Sequence, residues 1–484
     1  GSEFEGPMAT ASTAKAGGAE SEEELLVEHG HTATKPRSGG PAWLGCAFNL
    51  LNGTLGPGML VLPLAFHRTG LALGALLVVV IWCFSYLALL LLLETCARMH
   101  TSSLVMLGRM HGAVMSTVID GSVLLYFYGT CISYLILIEG TFATLVRQLG
   151  AEGPPGASSH PWLAAHGGTM LLSGCAAAVI LPLSCSRSIE KLGGCSSLIV
   201  VLYGFITLIV WSSPASAPAE PPALAAAPSC LSAHACAVHH GWPIVRAMPT
   251  IAYCFSSQAV YPPGLEAIRA QHSAAVARKV SRRITDGTFS LTLFLYLAVG
   301  VGGFVAVPGT PPTNVLNGYT AAPPLVLAQL SLICALSISY PVMFVVARAH
   351  FFSLAASRLD IVRHHRRVTF VGVCLSIIVA VGFPEVESVL GLLGATSSVS
   401  LSFIIPAMLY QKLVLASAAP QPSHYARWVP KLLIGVGLVV AALSIPVQAY
   451  EMEQQSHRVA SPSLHVFFPE VSDIPDVEFS FQLQ

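Results

Sequence analysis

From Leu71 to Leu93 no residue carries a charge, and comparable apolar runs return along the chain as far as residue 450. A run of about 20 apolar residues, wound as a helix, matches the hydrocarbon thickness of a bilayer. Only 10% of the 484 residues are charged and mean hydropathy is +0.68, whereas a soluble domain carries roughly a quarter charged residues. A β-barrel would alternate apolar and polar residues over segments of about ten, and these runs are twice that long. The pattern predicts an all-α polytopic membrane protein.

Eleven spans are expected, at 42–66, 71–93, 115–146, 168–184, 195–212, 243–265, 288–307, 324–349, 367–384, 388–411 and 429–450. The short connections between them hold most of the charge. With the N-terminal tail placed in the cytosol, all of the 24 Lys and Arg except Arg68, Arg147, Arg246 and Arg458 fall on the cytosolic side, as the positive-inside rule requires. An odd number of spans puts the C-terminus outside or in a lumen. Residues 1–7 read as a cloning scar ahead of Met8, and 8–41 as a disordered cytosolic tail without a cleavable signal. The membrane-spanning unit is expected at 42–450, followed by a non-cytosolic tail at 451–484. SEEELL (21–26) nearly matches an acidic dileucine sorting signal, so residence in a plasma membrane or an endosomal or lysosomal membrane is expected.

Cys230 and Cys236 share the long non-cytosolic loop 213–242. They are candidates for a disulfide there, with free thiols as the alternative. The remaining cysteines sit in or near the spans and read as small apolar fillers. The triplet Asn52-Gly53-Thr54 lies at membrane depth and is rejected as a glycosylation acceptor. The basic clusters Arg278–Arg283 and Arg363–Arg367 fit membrane orientation and anionic lipid; nucleic acid need not be invoked.

The first span contains NLLNGTLGPGMLVLP (49–63). Gly53, Gly56 and Gly58 weaken a helix, and Pro57 removes a backbone donor and crowds the preceding turn. The helix is expected to break near 53–58, at bilayer depth, where bare backbone survives only in a cavity or inside protein. Close packing is the plainer reading of one such segment. A second interruption shifts the balance. MPTIAYCFSSQAVYPPGLEAI (248–268) places Ser256, Ser257 and Gln258 in mid-span, followed by Pro262, Pro263 and Gly264. Two broken helices five spans apart are the arrangement of secondary transporters built from inverted repeats.

FNLLNGTLGPGMLVLPLAF (48–66) resembles the opening helix of the amino acid/auxin permease family, closest to its sodium-coupled neutral amino acid transporter branch. The resemblance continues in GTCISYLILIEG (129–140), ILPLSCSRSIEKL (180–192), MPTIAYCF (248–255), ALSISYPVMF (335–344) and GATSSVSLSFIIPAMLYQK (394–412). It implies eleven spans with an inside N-terminus and a five-plus-five inverted repeat like that of the bacterial leucine transporter, plus one extra helix. It also implies transport of small neutral amino acids, driven by sodium or a proton. The oligomeric state is left open.

The resemblance assigns sodium binding to Asn52 in helix 1 and to Ser337 in helix 8, with Ser339 beside it. Pro341 frees a carbonyl one turn before it; hydroxyls bonded to their own backbone are the plainer reading. For the substrate carboxylate the amides of the first break (Gly53, Thr54, Gly56, Gly58) are expected. The ammonium group and side chain fall to the surroundings of Phe255, Ser256 and Ser257. Thr396 and Ser397 are expected to line or gate the path, with packing an equal alternative. No Asp or Glu lies in either break, which argues against a cationic substrate. Asp120 and Glu139 are the acidic residues well within a span and are functional candidates on that ground. Departures from the family pattern are Pro57, the short external loop and Glu139.

An enzyme is not expected: the sequence holds no GxSxG, HExxH or paired intramembrane aspartates. A channel would not need two opposed breaks. An amino-acid-sensing membrane receptor with little transport would show the same pocket, and stands as the alternative.

Overall fold

The computed structural model describes residues 42–151, 172, 174–185, 196–212, 242–307, 309–320, 322–355, 361–383, 385–416 and 424–465. Within them the regular elements are helical. We number them α1 (Ala42–Thr54), α2 (Gly58–Thr69), α3 (Leu71–Arg98), α4 (Leu104–His111), α5 (Ala113–Ala151), α6 (Ser196–Ser212), α7 (Trp242–Cys254), α8 (Ala274–Ala306), α9 (Pro323–Ala355), α10 (Ile361–Gly382), α11 (Val386–Leu393) and α12 (His424–His465). Short turns at Ala176–Ile180 and Leu181–Ser184 precede α6, and Tyr261–Gly264 and Glu266–Gln271 follow α7. Helix α11 runs on through wide i→i+5 turns to Leu415 without losing its course.

Seven of the described helices are long and apolar enough to cross a membrane. The pair α1–α2, bent by 49° at its break, makes an eighth span if counted as one. Helix α6 is apolar but shorter. Large side chains such as Val114, Leu208, Phe294 and Ile378 are at least 65% exposed on the outside of the bundle. A water-soluble monomer would not scatter so many over its surface; hydrocarbon accepts them at no cost.

Several helices run past the hydropathy limits, two of them by more than ten residues. Helix α8 begins at Ala274 rather than 288, because residues 274–287 are polar yet still good helix formers. Arg282 closes an i,i+4 pair with Asp286 at 2.9 Å and lies over the Tyr86 ring of α3. Helix α12 likewise continues to His465. Hydropathy marks the part of a helix that lipid covers, and a helix need not stop at the lipid boundary.

The bundle centres on α5 and α9, which make the most extensive pairwise contact. Both are largely buried, as is the α11 span, whereas α3, α10 and α12 have their apolar faces turned outward. Where α5 meets α9, buried Asp120 accepts from Ser353 Oγ at 2.8 Å and lies 2.7 Å from His350 Nδ1. This answers for the carboxylate at Asp120: its charge is spent on tying two central helices together. Between α2 and α3 a single residue, Gly70, makes the turn with φ of 81°, a conformation that a side chain would strain.

Helix α11 approaches α7 closely enough that a β-carbon on Gly394 would overlap the Pro249 carbonyl. Backbone cannot yield as a side-chain tip can. We expect Gly394→Ala to cost about 1–3 kcal/mol. Gly435→Ala, on α12 with open space around it, should cost nothing. Thermal unfolding in detergent followed by size-exclusion chromatography reads the difference; equal midpoints for the two variants would count against the close approach.

Candidate functional site

The first break is narrower than the glycine pattern suggests. Gly53 and Thr54 still belong to α1, and Leu55 N donates to Leu51 O at 2.7 Å to close its last turn. Only Leu55, Gly56 and Pro57 leave the helix. Among the described residues the amides of Gly56 and Gly58 donate to no backbone carbonyl in a turn or cap. Pro57 has no amide to give Gly53 O, so the carbonyls of Asn52 and Gly53 lose the partners a continuous helix would supply. Thr54 O finds a substitute, accepting from Tyr296 OH at 2.7 Å. The break therefore turns carbonyls one way, from the end of α1, and amides the other, at the start of α2.

The second break spans Phe255–Val260. Its turns are held by Ser256 N→Tyr253 O at 3.2 Å and Val260 N→Ser257 O at 2.9 Å. Pro262 and Pro263 open the short helical turn that restarts the span, where their missing amides cost least. Ser256 Oγ shares its single proton between Ala252 O at 2.9 Å and Ser402 Oγ, beyond α11, at 2.8 Å. Ser402 in turn donates to Gln258 Oε1, and Gln258 Nε2 donates to Ser85 O of α3. This chain of polar groups fixes the unwound strand against two neighbouring helices. Ser257 Oγ is buried without a hydrogen-bond partner.

The two breaks face each other at glycines. A β-carbon on Gly53 would strike Val260 at 2.6 Å, one on Gly58 would lie 3.3 Å from Tyr253 Cδ1, and one on Gly264 would strike Leu50 at 2.7 Å. Cys46 Sγ donates to Gly264 O at 3.1 Å. Gly56 breaks this pattern. It is buried, yet a β-carbon there would meet no atom within 4 Å. The unwound backbone there thus borders buried space with room for at least a β-carbon, flanked on both sides by close glycine contacts. Aromatic rings stand nearby: Phe255 packs edge-on to Tyr296 at 5.3 Å, and Tyr253 lies against Tyr126 at 5.3 Å. Thr130 Oγ1 donates to Tyr126 O, so the Tyr253 hydroxyl supplies the proton of their shared 2.8 Å bond.

Oxygen atoms suited to a cation occur in two places. Asn52 donates through Nδ2 to Ser196 Oγ of α6 at 3.3 Å, leaving Oδ1 buried and unpartnered. Ser337 Oγ on α9 is also buried and unpartnered. Pro341 lies inside the same helix, so the Ser337 carbonyl lacks the donor it would otherwise have. Ser339 is buried beside it. Helix α6 packs against both α1 and α9 and so stands between the two sets of oxygens; no hydrogen bond joins Asn52 to Ser337. Orphaned buried oxygens cost about 1–3 kcal/mol each, which an ion would offset.

Thr396 Oγ1 donates to Leu392 O and Ser397 Oγ to Leu393 O, each within its own helix. Their neighbour Ser398 carries the unpartnered hydroxyl. Cys230 and Cys236 lie outside the described residues. Glu139 sits partly buried on α5. Tyr296, Tyr253, Thr130, Ser402, Ser196 and Ser398 were not singled out in the sequence. Each is one polar residue in an apolar helix, and only the packing shows which of them turns toward the breaks. Among the described residues no group of three His, Cys, Asp or Glu could hold a metal.

At the end of the bundle away from the basic connections, Arg68 of α2 donates to Glu387 of α11 at 2.7 Å. Both side chains are mostly buried. Arg246 of α7 pairs with Glu451 of α12, and Gln448 Nε2 donates to Arg246 O at 3.4 Å. Gly391 of α11 packs closely on Gln448. The ends of α2, α7, α11 and α12 are thereby pinned together above the breaks.

The family described as transmembrane amino acid transporter protein matches residues 40–449. Sodium-coupled neutral amino acid transporter 7 of Danio rerio is 25% identical over 424 residues, covering 83% of this chain and 84% of the relative. Its Rattus norvegicus counterpart is 26% identical over 391 residues, covering 77% and 80%. A crystal structure of an Eremococcus coleocola manganese transporter, bound to an aromatic bis-isothiourea compound, superposes with a TM-score of 0.55 at 14% identity. It covers 90% of this chain and 95% of that one, a likeness of fold.

The buried Arg68–Glu387 pair makes a stability prediction. Glu387→Ala should cost at most about 3–5 kcal/mol, because it removes the carboxylate paired with a largely buried guanidinium. The double variant Arg68→Met/Glu387→Leu should cost less than either single change. Thermal midpoints in detergent test this, and additive losses would show that the two residues do not act as a pair.

Proposed function

The chain belongs to the transmembrane amino acid transporter protein family, and from that premise we propose that it is a secondary active transporter of small neutral amino acids. The observation that carries the reading is the pair of breaks meeting at buried space beside Gly56. The amides of Gly56 and Gly58, at the positive end of the α2 dipole, receive the carboxylate. Carbonyls of the second break and the Ser257 hydroxyl receive the ammonium group. Phe255, Tyr253 and Tyr296 bound the room left for the side chain, which keeps the substrate small. Gly53 and Thr54 contribute through their carbonyls and packing, since their amides stay in the helix.

Sodium is the coupling ion in this proposal. The names of the relatives support it, as do the unpartnered oxygens of Asn52 and Ser337; a proton is the alternative carrier. Asn52, the freed carbonyls at the end of α1, Ser337 and Ser339 form the ion site when α1 and α9 draw together. Alternating access follows from rocking α1–α2 and the α7 span against the rest, with Ser256–Ser402 and the Arg68–Glu387 and Arg246–Glu451 pairs as the contacts that change. Thr396 and Ser397 lie on the moving path. We read the whole bundle as eleven spans in a five-plus-five inverted repeat plus one helix, transporting through residues 42–450. The N-terminus then faces the cytosol and the C-terminal residues the other side, in a plasma, endosomal or lysosomal membrane.

Counterflow of common amino acids into vesicles, under separate sodium and proton gradients, tests the activity. Accumulation of a neutral amino acid against its gradient is expected; uptake that only equilibrates would refute coupled transport. Gly56→Leu should abolish uptake while leaving the thermal midpoint within a few degrees, because its side chain enters open space. Asn52→Ala and Ser337→Ala should each raise the sodium concentration for half-maximal uptake at least tenfold. An unchanged sodium dependence in both would remove them from the ion site.

A further inference from the structure

A second cavity lies away from the breaks. Its volume is ≈ 540 Å³, and it opens between α5, α9 and α10. None of its lining residues belongs to α1, α2 or α7. Along α10 the lining falls at His364, Arg367, Val371 and Leu375, the spacing of one helix face. From His364 to Leu375 that face is about 16 Å long at 1.5 Å per residue. Helix α5 contributes Leu124 and Tyr128, and α9 contributes Phe344 and Phe351. Tyr128 OH donates to Gly372 O at 2.8 Å and ties α10 to α5 along one side. On the other side the groove is open to lipid, for Val371 is 62% exposed and Leu375 49%.

The groove is apolar along its length and basic at one end. Arg367 stands exposed at the mouth with His364 partly buried beside it. Arg348 forms the wall behind them, donating to Ser184 O at 2.6 Å and Thr369 Oγ1 at 2.7 Å. The described lining contains no carboxylate. A greasy trough some three helical turns long, ending in cationic groups near the start of α10, has the charge and shape of one kind of molecule.

We propose that this groove binds an anionic phospholipid from the leaflet facing the basic connections. One acyl chain lies against Leu124, Phe344, Val371 and Leu375, and the phosphate meets Arg367 and His364. Basic pockets between membrane helices capture such headgroups, and the gain per arginine corresponds to about a fivefold preference over a zwitterionic lipid. The occupied groove wedges α10 against α5 and α9, the two central helices, so lipid composition acts on the bundle at a distance from the substrate. This proposal does not depend on what the breaks carry.

The test uses the purified full chain in detergent with equal amounts of dioleoylphosphatidylglycerol and dioleoylphosphatidylcholine, and native mass spectrometry to count the lipid retained. Phosphatidylglycerol should be retained about fivefold over phosphatidylcholine. His364→Gln/Arg367→Gln should erase that preference. Val371→Trp, at a position exposed enough to accept it, should fill the trough and lower retention of both lipids. Arg427→Gln/Lys431→Gln, exposed on α12 and away from the groove lining, serves as the control and should leave the preference intact. Equal retention of the two lipids, an equal loss from the control pair, or unchanged retention in Val371→Trp would each overturn the site.

Discussion

Hydrocarbon offers no hydrogen bonds, so each bare amide or carbonyl at membrane depth costs several kcal/mol unless protein or ligand answers it. The rest of this structure is arranged around two places where that constraint is openly tested. At Leu55–Pro57 and at Phe255–Val260 the helices stop, and the polar backbone they release is turned inward, toward each other. Some of the debt is met by neighbours: Tyr296 answers Thr54 O, and Ser402 with Gln258 braces the second break. What is left over, at Gly56, Gly58 and Ser257, is the part a zwitterion can satisfy. Glycine is needed at Gly53, Gly58 and Gly264 for a different reason than at Gly56. At the first three a side chain of the facing segment (Val260, Cys254 or Leu50) fills the place of a β-carbon, and the last leaves space unfilled.

The same logic orders the surrounding helices. Helices α5 and α9 do not break, and they carry a buried polar tie in Asp120, His350 and Ser353. In the proposed mechanism they form the part of the bundle that stays still. The helices that break are pinned at one end by ion pairs and packed at glycine contacts elsewhere. Such contacts have few discrete arrangements, because close-packed backbones cannot deform continuously. The proposed transport cycle needs a rigid half and a switchable half, and we assign α5 and α9 to the first and the breaking helices to the second.

Much of the architecture could be read from the sequence because lipid imposes a coarse code. Uncharged runs mark the spans, and glycine with proline marks the first break, where Pro57 and Gly58 sit at its far edge. Its near edge was harder to place. Gly53 suggests that α1 ends there, yet the helix continues one residue further, since a glycine weakens a helix without ending it. In the second break the hydroxyl pair Ser256–Ser257 was visible, but the partner that divides their roles, Ser402, lies on another span with nothing to distinguish it from Ser400. The buried tyrosines were invisible for the same reason. Period and hydropathy report how deep a residue sits, and not which neighbour it meets. Thr396 and Ser397 show the converse: conspicuous in the sequence, they spend their hydroxyls on their own helix.

The account stands or falls on where the substrate sits. A cryo-electron microscopy structure of the chain in lipid nanodiscs, with a saturating transported amino acid, would locate it directly. Density for the carboxylate within hydrogen-bonding reach of the Gly56 and Gly58 amides, and for the ammonium beside the Phe255–Ser257 strand, is the predicted result. Bound amino acid seated elsewhere in the bundle, with the space beside Gly56 closed by protein, would contradict it.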